Sequence, residues 1–503
     1  MTEVASTNKI RVRLAPSPTG FMHIGTLRTG LYNYLFAKKQ GGTYTVRIED
    51  TDQSRLVPGA KESLVQSLFE MGINADEGFC IEDGKVTEVG EYGPYEQSKR
   101  LPTYQKYAEK LLESKHAYYC FCTQERLTEL RAQQQEKKLA PKYDKQCLNL
   151  SAEEIETRRT AGEAHVIRFN MPTGQEVTFE DMVRGPVKFN SATFDDQVLI
   201  KSDKFPTGVF AIVVDDIEMK ITHVIKGEEW LPTTPKQVLM YNALQEPVPE
   251  FAHLPLLLNP DKSKLSKRQG DVAVEDYVRK GYLPEALVNF VALLGWNPGK
   301  GSTQEIFSLT ELVDQFDFSH IHKGGAVFDH KKLDWMNGEY IKKLTVDDLY
   351  ARMVAGEFFD KEFIKSAPAY MQTEEYLRKV LTIEQERLAT LGGFGQENLF
   401  FFTGELAYEK SLLTWKENSL EETKAALQKA HDILEQEAAA TWNTASALHE
   451  LLFAAAGDKR GDFLWPLRAA LTGVQKSPSP AEVAWALGKE ESLKRLTKAI
   501  NSL

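Results

Sequence analysis

Two stretches of this chain gather residue types that handle phosphate. In "RLAPSPTGFMHIGT", Arg13 to Thr26, Pro16, Pro18, Gly20 and Gly25 surround His23. Glycine lets backbone come close to a ligand, and an imidazole can hydrogen-bond a phosphate oxygen. A helix beginning here would add unpaired N–H groups and the positive end of its dipole. In "NPDKSKLSKRQGD", Asn259 to Asp271, Lys262, Lys264, Lys267 and Arg268 fall among small polar residues. Such a loop could close over a polyphosphate and stabilise the charge that develops there. Each stretch also has a plainer reading. The first could be an ordinary tight turn with an exposed histidine. The second could be a solvated basic loop, the commoner meaning of such a run.

The elements around the first stretch place it. Ile10 to Leu14 alternate in the manner of a strand, and "LRTGLYNYLFAKK" reads as a helix closed by Gln40-Gly41-Gly42. "TYTVRI" (43–48) reads as the next strand, with "EDTD" at its carboxyl end. In open α/β sheets ligands gather outside the carboxyl ends of strands, so "APSPTG" and "EDTD" should share one crevice. After about residue 90 a turn and a charged helix lead through a polar stretch, "TELRAQQQEKK", to short β-like runs, "HVIRFNM", "VTFEDMV" and "QVLIKSD". This predicts an α+β insertion. Sheet texture returns with "VFAIVVDD" and "MKITHVIKG", read as the second half of a doubly wound domain. From 251 the pattern is helical with glycine and proline breaks, and beyond about 326 it is almost purely helical, as in "SLEETKAALQKAHDILEQEAAA". "SPSP" (477–480) reads as a connector between helices.

Composition bounds these readings. With 503 residues the chain is long enough for several domains. A net charge of −11 argues against indiscriminate coating of nucleic acid, while leaving room for local basic patches. Four cysteines make no disulfide scaffold, and no long apolar run or N-terminal hydrophobic segment is present. The expectation is a cytoplasmic, multidomain protein without a membrane partner.

Together, "HIGT" (23–26) and "KLSKR" (264–268) resemble the nucleotide-binding signatures of class I aminoacyl-tRNA synthetases. "VRIEDTDQSRLVPGAKESL", "HVIKGEEWLPTTPKQVLMY", "YLPEALVNFVALLGWNP", "VFDHKKLDWMNGEYI" and "PLRAALTG" narrow the resemblance to the bacterial-type glutamyl-tRNA synthetase family. These matches run in order along nearly the whole chain. The resemblance implies a Rossmann-type catalytic domain (1–90 and 204–250) split by an insertion (91–203) that holds the tRNA acceptor end. A helical junction (251–325) would carry the "KLSKR" loop, and an all-helical region (326–503) would read the anticodon. It implies formation of glutamyl-adenylate from glutamate and ATP with Mg2+, then transfer to the 3′ end of tRNA(Glu), in a monomer. Whether tRNA(Gln) is also an acceptor stays open.

Residue by residue, the resemblance implies that His23, Lys264 and Lys267 act at the phosphates. Pro16, Ser17, Thr19, Gly20, Gly25, Thr26, Glu229, Trp230 and Ser266 would complete the ATP site. Arg13, Ser17, Glu49 and Lys226 would hold glutamate. Arg13 can grip a carboxylate with two parallel hydrogen bonds, and Glu49 can hold an ammonium. Cys120, Cys122 and Cys147 are candidate ligands of a structural zinc, with Tyr143 favoured over Asn149 as the fourth. The chain departs from the family at Gly208, usually tyrosine, and at Lys226, usually arginine. Both positions normally lie against the amino acid, so a roomier, weaker glutamate pocket is expected. Four other readings compete with this one. Glutaminyl-tRNA synthetase has a β-barrel anticodon region, and the truncated relative that glutamylates a tRNA base lacks an anticodon domain. A tRNA-independent nucleotidylyltransferase would not need the long helical region. A weakened paralogue that binds tRNA without charging it is tested by ATP–pyrophosphate exchange.

Overall fold

The computed structural model describes residues 9–265, 273–299 and 301–503. The chain divides into two compact units, 1–277 with 284–330, and 278–283 with 331–503.

The first unit is built on two sheets that continue one another. Strand β1 (Arg11–Leu14) runs parallel to β2 (Thr43–Val46), and β2 parallel to β3 (Glu77–Glu82). Strand β4 (Lys85–Val89) closes that edge as an antiparallel hairpin. On the other side of β1, Thr222 N donates to Arg11 O (2.9 Å) and Arg11 N to Thr222 Oγ1 (2.9 Å). That brings in β10 (His223–Gly227), which pairs in parallel with β11 (Glu250–Leu254). Helix α1 (Ile24–Lys39) crosses between β1 and β2 and buries Leu27, Leu31, Tyr32 and Leu35 completely. It ends where expected: Gly41 has φ +60°, and a Cβ on Gly42 would sit 2.5 Å from Ile10 O. Only glycine lets the chain turn this tightly back alongside β1.

"VFAIVVDD" is not a strand. It forms helix α6 (Gly208–Glu218), with Phe210, Ala211, Val213, Val214, Asp215, Asp216 and Ile217 all buried. A short, almost wholly apolar run has no polar face to reveal its period, so a buried helix and a buried strand read alike. The polar stretch after residue 123 is likewise ordered, as helix α4 (Gln124–Glu136), capped by Thr123.

The segment 91–203 serves two sheets. Strands β5 (Ala117–Cys120), β6 (Val166–Phe169) and β9 (Val198–Ile200) make an antiparallel sheet of their own. The hairpin of β7 (Glu176–Asp181) and β8 (Gly185–Asn190) instead joins β11, through Phe251 opposite Asp181. Strand β11 itself crosses the expected boundary at 250, and β12 (Leu257–Leu258) pairs with β13 (Ala326–Val327).

The second unit is helical among its described residues, including Leu420–Gln436, Ala445–Ala456, Arg460–Thr472 and Pro480–Ser502. Ser419 with Glu422, and Ser479 with Glu482, form capping boxes that start two of these helices. "SPSP" is the connector anticipated, since its second serine is the cap of the last helix. Phe394, Phe401, Leu427, Leu434, Leu448 and Leu467 are wholly buried in this unit.

Candidate active site

A cleft of about 370 Å³ opens at the carboxyl ends of β1, β2 and β10. Arg13, Pro16, His23, Gly25, Thr26, Glu49, Lys226, Glu229, Trp230 and Lys264 all line it. The shared crevice predicted for the first two strand ends is therefore present. Ser17, Thr19 and Gly20 belong to the same turn but do not line the cleft. Ser266, Lys267 and Arg268 lie outside the described residues.

His23 is the N-cap of α1. Its backbone is extended and its Nδ1 accepts from Gly25 N at 2.9 Å. An accepting Nδ1 puts the proton of the neutral ring on Nε2, which makes that nitrogen the donor. The histidine thus caps the helix and offers an N–H beside the helix's positive end. Lys264 is exposed at the rim, its backbone bridged to Leu258.

The other side of the cleft is held by a buried ion network. Arg13 Nε donates to Asp216 Oδ1 (3.1 Å), and Arg47 Nη1 donates to the same oxygen (2.8 Å). Arg47 Nη2 donates to Glu49 Oε1 (3.1 Å), and its Nε lies 3.6 Å from Asp215 Oδ2. Asp215 also accepts from Arg100 Nε (2.7 Å), Gln97 Nε2 (2.8 Å) and Tyr104 OH (3.0 Å). Buried charges persist only when paired and hydrogen-bonded in this way. Burial works to lower the Arg47 pKa, but Asp216, Asp215 and Glu49 outweigh it and raise it. Burial works to raise Asp216, but Arg13 and Arg47 bring it below the usual carboxylate range. Asp215 stays raised because burial exceeds the pull of Arg47 and Arg100.

The network fixes Arg13, a cleft-lining residue, through its Nε, and its two Nη groups make no hydrogen bond among the described residues. A planar guanidinium so presented is arranged for a carboxylate. Beside it, burial pushes Glu49 up to about 7 despite Arg47 and Arg13. Lys226 donates to Gln237 Oε1 (2.7 Å) and sits 5.6 Å from the Phe251 ring centroid. Burial, and then the Arg13 charge, bring its pKa down to about 7. At Gly208, the first residue of α6, an added Cβ would meet nothing within 4 Å.

Sequence reading missed Arg47, Asp215, Asp216 and Arg28. A signal for the aspartates existed: two adjacent carboxylates inside an apolar run must meet buried cations. Arg28 lines the cleft, with Nη1 donating to Leu294 O (3.2 Å), Nη2 to Pro255 O, and a buried Nε that has no hydrogen-bond partner among the described residues.

Away from the cleft, the Sγ atoms of Cys120, Cys122 and Cys147 lie within 4.8 Å of one another. Cys122 and Cys147 are 3.5 Å apart, and the Tyr143 hydroxyl is 3.4 Å from Cys120 Sγ and 3.2 Å from Cys122 Sγ. Tetrahedral thiolates about 2.3 Å from a zinc ion stand roughly this far from one another, so the donor set fits that metal. Asn149 is exposed, whereas Tyr143 is buried with the cysteines.

Comparison with known proteins accords with this architecture. Residues 9–335 match the family model "tRNA synthetases class I (E and Q), catalytic domain", and residues 360–500 match an "Anticodon binding domain". The chain is 44% identical to a glutamate–tRNA ligase of Prosthecochloris aestuarii over 504 residues, covering 98% of each chain. It is also 44% identical to one of Clostridioides difficile, covering 98% of this chain and 99% of the other. A crystal structure of a glutamate tRNA ligase from Elizabethkingia meningosepticum, in complex with its amino acid, superposes with a TM-score of 0.85 at 35% identity. That alignment covers 98% of this chain and 100% of the other. Among the described residues no helix is long and apolar enough to cross a membrane.

Proposed function

The chain belongs to the glutamate–tRNA ligases, class I aminoacyl-tRNA synthetases, and from that premise we propose how its own residues divide the work. In the first step a carboxylate oxygen of glutamate attacks the α-phosphorus of ATP, and pyrophosphate leaves. In the second, a hydroxyl of the terminal ribose of tRNA(Glu) attacks the activated carbonyl, and AMP leaves. Neither step asks the protein for covalent chemistry; both ask for position and for charge to offset charge.

Arg13 takes the side-chain carboxylate, and Glu49 takes the α-ammonium. Lys226, carried at the end of β10, supplies a second cation on the glutamate side. His23 Nε2–H and the start of α1 face the phosphates with Lys264, and Lys267 joins them by its place in the motif. Glu229 and Trp230 wall the nucleotide. ATP enters with Mg2+ as a substrate. Cys120, Cys122 and Cys147, with the Tyr143 hydroxyl, would hold a zinc ion that braces the insertion. The region from 326 reads the anticodon of tRNA(Glu), and the enzyme works as a cytoplasmic monomer.

The observation that carries this reading is the Arg13 guanidinium, anchored by Asp216 and open to the cleft beside Glu49. Charging assays on purified tRNA(Glu) and tRNA(Gln) test it. Glutamyl-tRNA(Glu) is the expected product, and no charging of either acceptor would refute the reading. Elemental analysis of protein purified without chelator should return about one zinc per chain.

A further inference from the structure

A chain of buried polar groups stands behind the Glu229–Trp230 wall, and neither step of the reaction uses it. Asp181, the last residue of β7, accepts from Val183 N (3.0 Å), Arg184 N (2.8 Å), His253 N (3.1 Å) and His253 Nδ1 (2.6 Å). His253 Nε2 lies 2.9 Å from Thr234 Oγ1, at the start of helix α7 (Thr234–Leu244). Thr234 Oγ1 is in turn 3.3 Å from Trp230 O. The side chains of Asp181 and His253 are wholly inaccessible, as is Thr234.

An aspartate, histidine and threonine in a line have the outward form of a nucleophilic triad. A hydroxyl sealed from any substrate cannot act as one. The same line has a mechanical sense. Burial lowers the His253 pKa, so its ring is neutral, with the Nδ1 proton given to Asp181. The bare Nε2 then accepts the Thr234 hydroxyl proton. With that proton given to Nε2, Trp230 O is served by the Thr233 hydroxyl (2.8 Å), and the line from Asp181 ends at Thr234, the residue that follows the turn.

A second hold leaves the same hairpin. The Arg184 guanidinium pairs with Glu228, donates from Nε to His253 O (3.2 Å) and from Nη1 to Lys323 O (2.7 Å). Glu228 Oε1 also accepts from Leu256 N (2.8 Å). Between these two holds lies the short 3-10 turn Glu228–Thr233, which carries Pro232 inside it. Such a turn has poor internal hydrogen bonding and stiffens little by itself.

We infer that the β7–β8 hairpin buttresses the nucleotide wall, and that Asp181, Arg184, His253 and Thr234 are positioning residues for ATP rather than for glutamate. The inference rests on Trp230 and Glu229 facing the nucleotide. The hairpin lies in the segment between the two catalytic halves, so this segment shapes the ATP site it flanks.

ATP–pyrophosphate exchange by the full-length protein tests this, with KM for ATP and for glutamate measured separately. Thr234→Val keeps the shape and removes the hydroxyl. It should raise KM for ATP about threefold to tenfold, the effect of one buried hydrogen bond, with KM for glutamate unchanged. Thr234→Ser should restore the parent value, and Arg184→Met should repeat the split from the second hold. Trp230→Ala controls the premise and should also raise KM for ATP. Thr234→Val at the parent KM for ATP, with Trp230→Ala impaired, overturns the buttress and leaves the wall in place. Both variants at parent values overturn the wall as well. A parallel rise in both KM values would mean general loosening and would also overturn the inference.

Discussion

Two groups of side chains line one cleft and are held in contrasting ways. Around Arg13 the charges are already paired: Asp216 joins Arg13 to Arg47, and Arg47 reaches Glu49 and Asp215. Around His23 the protein offers a helix start, a capped imidazole and an exposed lysine at position 264. On the assignment proposed above, the difference follows from the ligands. A small amino acid is told from its neighbours by fixed geometry, which needs a buried network to hold each donor. A polyphosphate carries enough charge to organise flexible cations, and those cations matter most as charge develops.

The largest separation of the two sides is expected at Arg13. Arg13→Met removes the ligand's partner and takes one of the two cations from buried Asp216. We expect kcat/KM for glutamate to fall by on the order of 10³, because the ligand carboxylate loses its cation and Asp216 keeps only Arg47. KM for ATP should stay near the parent value, and an equal loss on both substrates would erase the distinction between the two sides.

Lys267→Ala probes the phosphate side. Its effect should fall on kcat of adenylate formation, by about 10²–10³, with tRNA affinity nearly intact. A rate within a few-fold of the parent would remove Lys267 from the mechanism.

Gly208→Tyr combined with Lys226→Arg sharpens the glutamate side. The open space in front of Gly208 can receive a phenol, and arginine adds a planar grip that lysine lacks. Glutamate should bind more tightly by roughly 1–3 kcal/mol if two hydrogen bonds to charged groups are gained. Weaker binding would show that the parent pocket is already filled.

The smallest effect is on pH. Glu49, raised to about 7, must be ionised to hold an ammonium, so its function is lost as pH falls through that value. Lys226, lowered to about 7, must be protonated to face a carboxylate, so its function is lost as pH rises through it. A bell-shaped kcat/KM for glutamate centred near pH 7 is expected, declining about tenfold per pH unit on each side. Lys226→Arg should remove the alkaline limb, and a limb left in place would assign it to another group.

The same contrast governs what could be read from sequence. The phosphate side is local: turn, histidine and helix are contiguous in "PTGFMHIGT", so their meeting in one place was legible before any fold was known. The strand ends that frame the crevice were legible from β alternation for the same reason. The network was not, since Arg13, Arg47 and Asp216 meet only through folding, and Asp216 lies on a helix whose apolar run read as a strand. Lys226 was legible as a departure from the family, but its contact with Gln237 was not. Strand β7 was legible in "VTFEDMV", but its hairpin partner β8 was not read, and the attachment of the hairpin to β11 depends on a single pairing far along the chain.

On the proposed reading, a carboxylate-specific grip stands ready in the cleft before substrate arrives. The most direct measurement is ATP–pyrophosphate exchange by the unmodified protein with tRNA(Glu) present, comparing glutamate with glutamine. Glutamine is nearly isosteric but would leave the Arg13 fork without its charged partner, so its kcat/KM should be lower by at least about 10³. Exchange with glutamine at a comparable rate would contradict the account.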